Sequence, residues 1–277
     1  MTLPGRGRDY LAACTIYRDD ADYLAEWIEF HRLVGVERFV LYDNGSTDHH
    51  LEVLAPYLEE GIVTRHEWPG PFLGHKGRPR ALFTAFEHCV GAHREDARWI
   101  AFLDIDEFLF SPAGAQLPDV LREYERFPGV VVSRAEFGPS GHQKKPDGLV
   151  IESYVERLQL KPDDRAPYKS IVEPGHITRC LSAHCFRFRD GTPVDEELRP
   201  VDPLRYMDRK PVVWERLRIH HYFSRSEEER IRKAELWRDV GSARAIPTAP
   251  LPAGRSVRDE TLAAFAPAVR EALAGRG

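Results

Sequence analysis

Short apolar runs alternate with longer amphipathic stretches over the first 110 residues, and this alternation restricts the fold more than any other feature of the chain. Tyr10 to Tyr17 (YLAACTIY) is rich in strand formers. Ala21 to Val34 follows, with Leu24, Trp27, Ile28, His31 and Val34 at helical spacing. Asp19, Asp20 and Glu26 suit the positive end of that helix. Arg38 to Tyr42 (RFVLY) is a second strand. Asn44-Gly45-Ser46-Thr47-Asp48 is a turn able to cap a helix over Leu51 to Glu59. Gly61 ends that helix, and Ile62 to His66 is a third strand. Trp68 to Arg78 reads as a loop, Pro79 to His93 as another helix and Trp99 to Leu103 (WIAFL) as a buried strand. Strands separated by helices of this length predict an α/β fold, with a mostly parallel central sheet flanked by helices.

Ligands of such sheets sit at the carboxyl ends of the strands. Attention therefore falls on Tyr17-Arg18-Asp19, Asp43-Asn44-Gly45, Glu67-Trp68 and Asp104-Ile105-Asp106-Glu107. The second half reads differently. Val130 to Phe137, Leu149 to Leu158, Tyr168 to Val172, Ile177 to Phe188 and Val212 to Phe223 are expected as strands or extended segments. Ser226 to Val240 is expected as a helix opened by a capping box with acidic residues. Gly241 to Gly254 reads as a Pro-, Ala- and Gly-rich linker. A last helix is expected over Ser256 to Ala274, where Leu262, Phe265, Val269 and Leu273 form a stripe suited to docking on the protein's own core.

Composition removes several functions. The 277 residues carry 39 Lys+Arg and 44 Asp+Glu, a net charge of −5, with a mean hydropathy of −0.45. That profile excludes disordered and fibrous classes. No apolar run approaches the ~20 residues of a membrane helix, and the first nine residues lack the apolar stretch of a signal peptide. A mildly acidic chain gives no reason to expect nucleic acid. Cys14, Cys89, Cys180 and Cys185 lack the spacing of a disulfide scaffold or a zinc ribbon and read as reduced thiols. The expectation is a cytoplasmic protein, at most peripheral at the inner face of the membrane.

The strongest chemical signal is Asp104-Ile105-Asp106-Glu107-Phe108, directly after an apolar strand. Carboxylates are costly to bury unpaired, so at a strand end they tend to face a cleft. Two apart on an extended chain, Asp104 and Asp106 point to one side, where two hard oxygen ligands suit Mg2+ or Mn2+ carrying a diphosphate. A solvated acidic turn is the plain alternative. In Asp43 to Asp48, Asp43 can accept from a base N–H while the turn wraps a nucleoside, although the same residues also serve turn geometry alone. His220 and His221 are adjacent on an expected strand and point to opposite faces, so at most one reaches a metal. Arg225 in the following turn can meet phosphate oxygens.

Together these segments resemble a glycosyltransferase of the GT-A fold, similar to bacterial proteins of families 2 and 92. The resemblance rests on Ala13 to Asp19 with Trp27 to His31, the DNGSTD turn Asp43 to Asp48, and the DxDEF motif Asp104 to Phe108. It also rests on Phe137-Gly138-Pro139-Ser140-Gly141-His142, Gly148 to Glu152, Lys169-Ser170-Ile171-Val172 and His221-Tyr222-Phe223-Ser224-Arg225-Ser226. It spans roughly residues 9–240. It implies a GT-A domain over 1–240, with a nucleotide-sugar half (about 1–110) and an acceptor half (about 111–240). Residues 241–277 would be a linker and C-terminal helix, through which an oligomer is one option.

The resemblance places Thr15, Tyr17 and Asp43 at the base and ribose and Asp104 and Asp106 at the metal and diphosphate. Asp106 is the first choice of direct ligand. His221 falls where a late His completes that site, and Arg225 where such enzymes usually have Lys. Lys76-Gly77-Arg78-Pro79-Arg80 replaces a stretch that often holds Gln, and Arg80 in this cationic loop could grip phosphate. The catalytic base stays open among His142, Glu136, Glu152 and Asp195. His142 comes first through its motif, yet it equally suits a His hydrogen-bonded into a Gly-rich turn. The expected activity is metal-dependent transfer of a sugar from a nucleoside diphosphate sugar, a UDP-sugar first, to a hydroxyl of a glycan or small-molecule acceptor, with inversion. Two rivals are a metal-dependent nucleotidyltransferase or phosphodiesterase and a non-catalytic nucleotide-sugar binder. The missing second carboxylate cluster disfavours the former. Intact Asp104, Asp106 and His221 disfavour the latter.

Overall fold

The structure is a computed structural model and describes residues 7–71, 80–161, 164, 166–205, 212–239, 251 and 254–276. The first half holds strands β1 (Asp9–Tyr17), β2 (Arg38–Asp43), β3 (Val63–Glu67) and β4 (Ala97–Phe102). Helices α1 (Ala21–Leu33), α2 (His50–Glu60) and α3 (Arg80–Ala92) separate them, as the sequence alternation predicts. Gly61, at φ +74°, closes α2 by returning its N–H to the carbonyls of Leu58 and Tyr57. The chain continues through β5 (Glu107–Phe110), α4 (Leu117–Leu121), β6 (Gly129–Glu136), α5 (Val150–Ser153), β7 (Glu156–Leu158) and β8 (Tyr168–Val172). It ends with β9 (Ile177–Cys180), β10 (Phe186–Phe188), β11 (Arg218–His221), α6 (Glu227–Asp239), β12 (Ser256–Arg258) and α7 (Ala266–Ala274).

One eight-stranded sheet has the order β3-β2-β1-β4-β8-β6-β11-β5. β3, β2, β1 and β4 pair in parallel, as do β6 and β11. β8 is antiparallel to both β4 and β6, and β5 is antiparallel to β11. Every strand except β8 and β5 therefore runs the same way. The carboxyl ends of β1, β2, β4, β6 and β11 and the amino ends of β8 and β5 share one edge.

β1 shows why the sheet needs cover on both faces. Leu11 and Ala13 pack with Leu24, Trp27 and Ile28 of α1 and with Leu54 and Tyr57 of α2. Ala12, Cys14 and Ile16 pack on the other face with Leu82, Ala85, Phe86 and Cys89 of α3. Each fully buried Leu, Ile or Phe contributes about 1.5–3 kcal/mol, so a strand apolar on both faces fits only between two helical layers. All four cysteines are buried free thiols. Among the described residues no helix is long and apolar enough to cross a membrane.

Four expectations in the second half need correction. Leu149 to Leu158 is not one extended segment: α5 precedes β7. The Glu26 carboxylate, on α1, accepts the N–H groups of Val150 and Ile151 and so opens a helical turn from 124 residues away. Ile177 to Phe188 is a hairpin, turned where the Cys185 carbonyl accepts from the N–H of Leu181 and Ser182. Only Arg218–His221 of the expected Val212 to Phe223 strand is a strand, because the Glu196 carboxylate takes the N–H groups of Glu215, Arg216 and Leu217. Ser256 to Ala274 begins as β12, paired with β7, and becomes α-helical only at Ala266. The expected linker Gly241 to Gly254 lies mostly outside the described residues. Beyond it Leu262, Ala266 and Val269 enter the core beside α1.

Candidate active site

The shared edge gathers chemistry from distant parts of the chain. His221 ends β11 and stands in register with Glu107 at the start of β5 and with Glu136 at the end of β6. Residues in register on neighbouring strands present their side chains to the same face. Arg134, two residues before Glu136, joins that face. β8 brings Lys169, and α6 brings Lys233.

These side chains form a chain of alternating charge. Lys169 Nζ lies 2.8 Å from Asp104 Oδ2 and 3.1 Å from Glu107 Oε2. Arg134 spans from Glu107 Oε1 at 2.8 Å to Glu136 Oε1 at 3.0 Å. Glu136 Oε2 is 2.5 Å from His221 Nδ1, and His221 Nε2 is 3.4 Å from Asp106 Oδ1. Lys233 donates to Asp106 Oδ2 at 2.6 Å and stands 4.1 Å from the centre of the Phe223 ring. Buried carboxylates survive only with such partners.

The partners set the proton affinities. Burial alone would lower His221, but Glu136 and Asp106 hold its imidazolium, and its pKa rises to about 9. Burial pushes Glu136 up, and Arg134 with His221 outweighs it, leaving about 2. For Asp106 the upward push of burial loses to Lys233 and His221, which hold the carboxyl well below its ordinary value. His220, adjacent to His221, points to the opposite face among Phe110, Phe137 and Tyr222. Burial lowers its pKa to about 3. The expected split of the histidine pair across the strand is present.

Asp104 and Asp106 do not sit on an extended chain, as the sequence reading has it. They flank a tight turn, in which Glu107 N–H donates to the Asp104 carbonyl at 3.0 Å and Asp104 N–H donates to Glu107 Oε2 at 2.9 Å. The two carboxylates consequently have different partners. Among the described residues no three His, Cys, Asp or Glu side chains converge to hold an ion. Asp106 Oδ1 is buried without a hydrogen-bond partner, 3.4 Å from His221 Nε2; Lys169 Nζ, Arg134 Nε and Glu136 Oε1 are likewise held by charge alone. Neighbouring ligands of one divalent ion, each about 2.1 Å from it, stand about 3 Å apart. Mg2+ commonly takes one or two carboxylates and fills its other positions with phosphate oxygens and water. The pair fits an ion that arrives with a diphosphate, not one caged by protein.

The other expected residues spread along the edge and beyond it. Thr15 is fully buried in β1, its hydroxyl 3.4 Å from the Ile16 carbonyl. Tyr17, at the end of β1, keeps its buried hydroxyl without a hydrogen-bond partner, and Asn44 Oδ1 is likewise unpartnered after β2. Asp43 accepts from Ser46 N–H and from Arg65, each at 2.8 Å. Burial raises Asp43, but these bonds outweigh it and leave its pKa lowered. Arg225 adopts φ +47° and lays its guanidinium 3.3 Å from the centre of the Tyr23 ring, with Asp20 at 3.6 Å. Arg80 begins α3; its side chain, with Lys76 and Arg78, lies outside the described residues.

The base candidates fare unequally. His142 Nε2 is 3.0 Å from the Ser153 carbonyl and so donates to it. Glu152 accepts Leu149 N–H at the start of α5 and pairs with Arg270. Asp195 requires correction. Val194, beside it, bonds to Gly129 at the amino end of β6, about 20 Å of strand away from Glu136. Asp195 itself binds Arg199 at 2.7 Å and organises its own turn. Arg134, Lys169 and Lys233 were given no role by the sequence reading. Their signal was there for two of them: a Lys inside Tyr168 to Val172 and an Arg inside Val130 to Phe137 are charges in strands that must be buried.

The model of Glycosyltransferase family 92 matches residues 10–239. A glycosyltransferase family 92 protein of Oryza sativa subsp. japonica is 37% identical over 187 residues, covering 65% of this chain and 30% of that one. A galactan beta-1,4-galactosyltransferase of Arabidopsis thaliana is 34% identical over 118 residues, covering 38% of this chain and 21% of that one. A similar family 92 protein of Ricinus communis is 33% covered, so the chain spans about a third of the length of these family 92 relatives. The solved structure of S. aureus TarS residues 1–349 in complex with UDP overlays with a TM-score of 0.33 and 15% identity, over 50% of this chain and 38% of that one. The expected kinship with bacterial proteins is corrected by the sequence relatives, which come from Oryza, Ricinus and Arabidopsis, all plants.

Proposed function

The chain belongs to glycosyltransferase family 92, and from that premise we propose that it moves a sugar from a UDP-sugar to a hydroxyl of a glycan or small-molecule acceptor, with inversion and with a divalent ion, Mn2+ or Mg2+. The observation that carries the reading is Asp106 Oδ1, buried without a hydrogen-bond partner and 3.4 Å from His221 Nε2, where the charge chain reaches the strand ends. Asp106 and His221 would hold the ion. Bound there, a divalent ion offsets the charge that builds on the leaving diphosphate. Lys233 and Arg225 add fixed positive charge at the same end of the sheet, worth most where water is scarce. The unpartnered Tyr17 hydroxyl and Asn44 Oδ1, at the ends of β1 and β2, are polar atoms that a nucleoside can satisfy.

An inverting transfer needs a base for the acceptor hydroxyl. His142 is the first candidate, because Nε2 is spent on Ser153 and Nδ1 has no described hydrogen-bond partner. Glu152 is second, since it already serves α5 and Arg270.

Calorimetry with UDP, GDP, CDP and ADP, each with Mn2+ and with EDTA, tests the reading. The expected result is binding of UDP that needs Mn2+ and disappears in Asp106→Asn. Equal binding of UDP in EDTA, or in Asp106→Asn, removes the ion from the reading. No binding of any nucleotide removes the reading itself.

A further inference from the structure

We propose that Glu136 is a positioning residue that aims His221 Nε2 at Asp106, with Arg134 holding Glu136 in turn; this rests on the divalent-ion reading of the site. Each oxygen of Glu136 faces a cationic side chain. Oε2 is 2.5 Å from His221 Nδ1, and Oε1 is 3.0 Å from Arg134 Nη2. Arg134 in turn donates to Glu107 Oε1 at 2.8 Å, and Glu107 Oε2 accepts the Asp104 N–H. A continuous strap thus runs from the backbone of the acidic turn, across β5 and β6, to the imidazole on β11.

The backbone around the imidazole is fixed as well. The His221 carbonyl accepts from Phe137 N–H at 2.9 Å, and Tyr222 N–H donates to the Asp106 carbonyl at 2.8 Å. What remains free is rotation of the ring about its side-chain bonds. Glu136 removes that freedom, because turning the ring would break the short contact at Nδ1 and leave a half-buried carboxylate without its imidazole partner. A carboxylate on the second ring nitrogen of a ligating histidine orients the ligand and raises its basicity, and its loss typically weakens metal binding 10–100-fold. Glu136 keeps Oε2 on His221 and Oε1 beside Arg134. It acts through His221.

The test is Mn2+ uptake in the presence of UDP, followed by loss of the free-ion electron paramagnetic resonance signal. It is read at one fixed pH for all variants, and below the melting temperature of every variant. Glu136→Gln and His221→Ala should each weaken uptake about 10–100-fold. The double variant should be no weaker than His221→Ala, because Glu136 has nothing left to aim. Glu136→Asp, which keeps the charge, should recover part of the loss and carries the test if Glu136→Gln does not fold. Uptake within about twofold of wild type in Glu136→Gln, or full additivity in the double variant, overturns the proposal while the divalent-ion reading stands. Failure of the wild-type protein to take up Mn2+ with UDP, or unchanged uptake in Asp106→Asn, overturns that reading and the proposal together.

Discussion

His220 and His221 are neighbours on one short strand, both buried, and their surroundings drive them in opposite directions. On one face His220 sits among aromatic rings, with its pKa lowered to about 3 by burial. On the other, His221 lies between two carboxylates and rises to about 9. Burial lowers both and so does not account for the difference between them. What separates them is whether opposite charge came in with the ring. The aromatic face is held by packing, which tolerates substitution of similar shape. The charged face is held by pairing, in which loss of one member strands the others.

The most drastic way to break this contrast is at its open end. Asp106→Asn should lower transfer by about 10³-fold or more, read as UDP release from the UDP-sugar, with the fold retained. Transfer near the wild-type rate would mean that the charged face is not the site. Next, Lys169→Met removes the ammonium between Asp104 and Glu107 and should cost about 3–5 kcal/mol of stability, read by urea denaturation. His220→Leu, on the packed face, should cost less than about 2 kcal/mol. Equal costs would erase the difference between the faces.

Acidity sharpens it further. His220 and His31 are both lowered to about 3 by burial, so the unfolded chain binds their protons first as pH falls. Stability should therefore decline from about pH 6.5 towards about pH 3, by up to about 1.4 kcal/mol per pH unit for each histidine. His221 has the opposite sign. Its pKa is raised, so its contribution is complete below about pH 6.5 and is lost as pH rises through about 9. Urea titrations across pH in EDTA check both: His220→Leu should flatten the acid limb only, and His221→Ala the alkaline limb only. The smallest effect belongs to the surface. Arg258 and Glu260 form an exposed pair, and Arg258→Ala should leave the urea midpoint within experimental error of wild type.

How far the molecule was legible in its sequence follows the same division. β1 to β4 were readable because a strand covered on both faces is a continuous apolar run. The opposite aims of His220 and His221 follow from the period of two along a strand. α5 was not readable, because the acceptors that open it belong to Glu26, 124 residues earlier. Nor was the bend before Arg218, made by Glu196. The same limit hid the partners of the acidic turn. Which basic side chain meets Asp104 or Asp106 depends on strand order, and strand order here places β8 and β6 between β4 and β11.

The ion pair between Glu29 on α1 and Arg276, 247 residues apart, together with the packing of α7 on α1, has a consequence for how the protein is made. At about 5–20 residues per second, a ribosome needs on the order of 10–50 s to travel from one partner to the other. For that interval the face of α1 that α7 will cover is bare, and β7 waits about 5–20 s for β12, roughly 100 residues later. Contacts this distant along the chain also slow folding once they can form. The nascent first half is therefore the stage at which this protein most needs a chaperone.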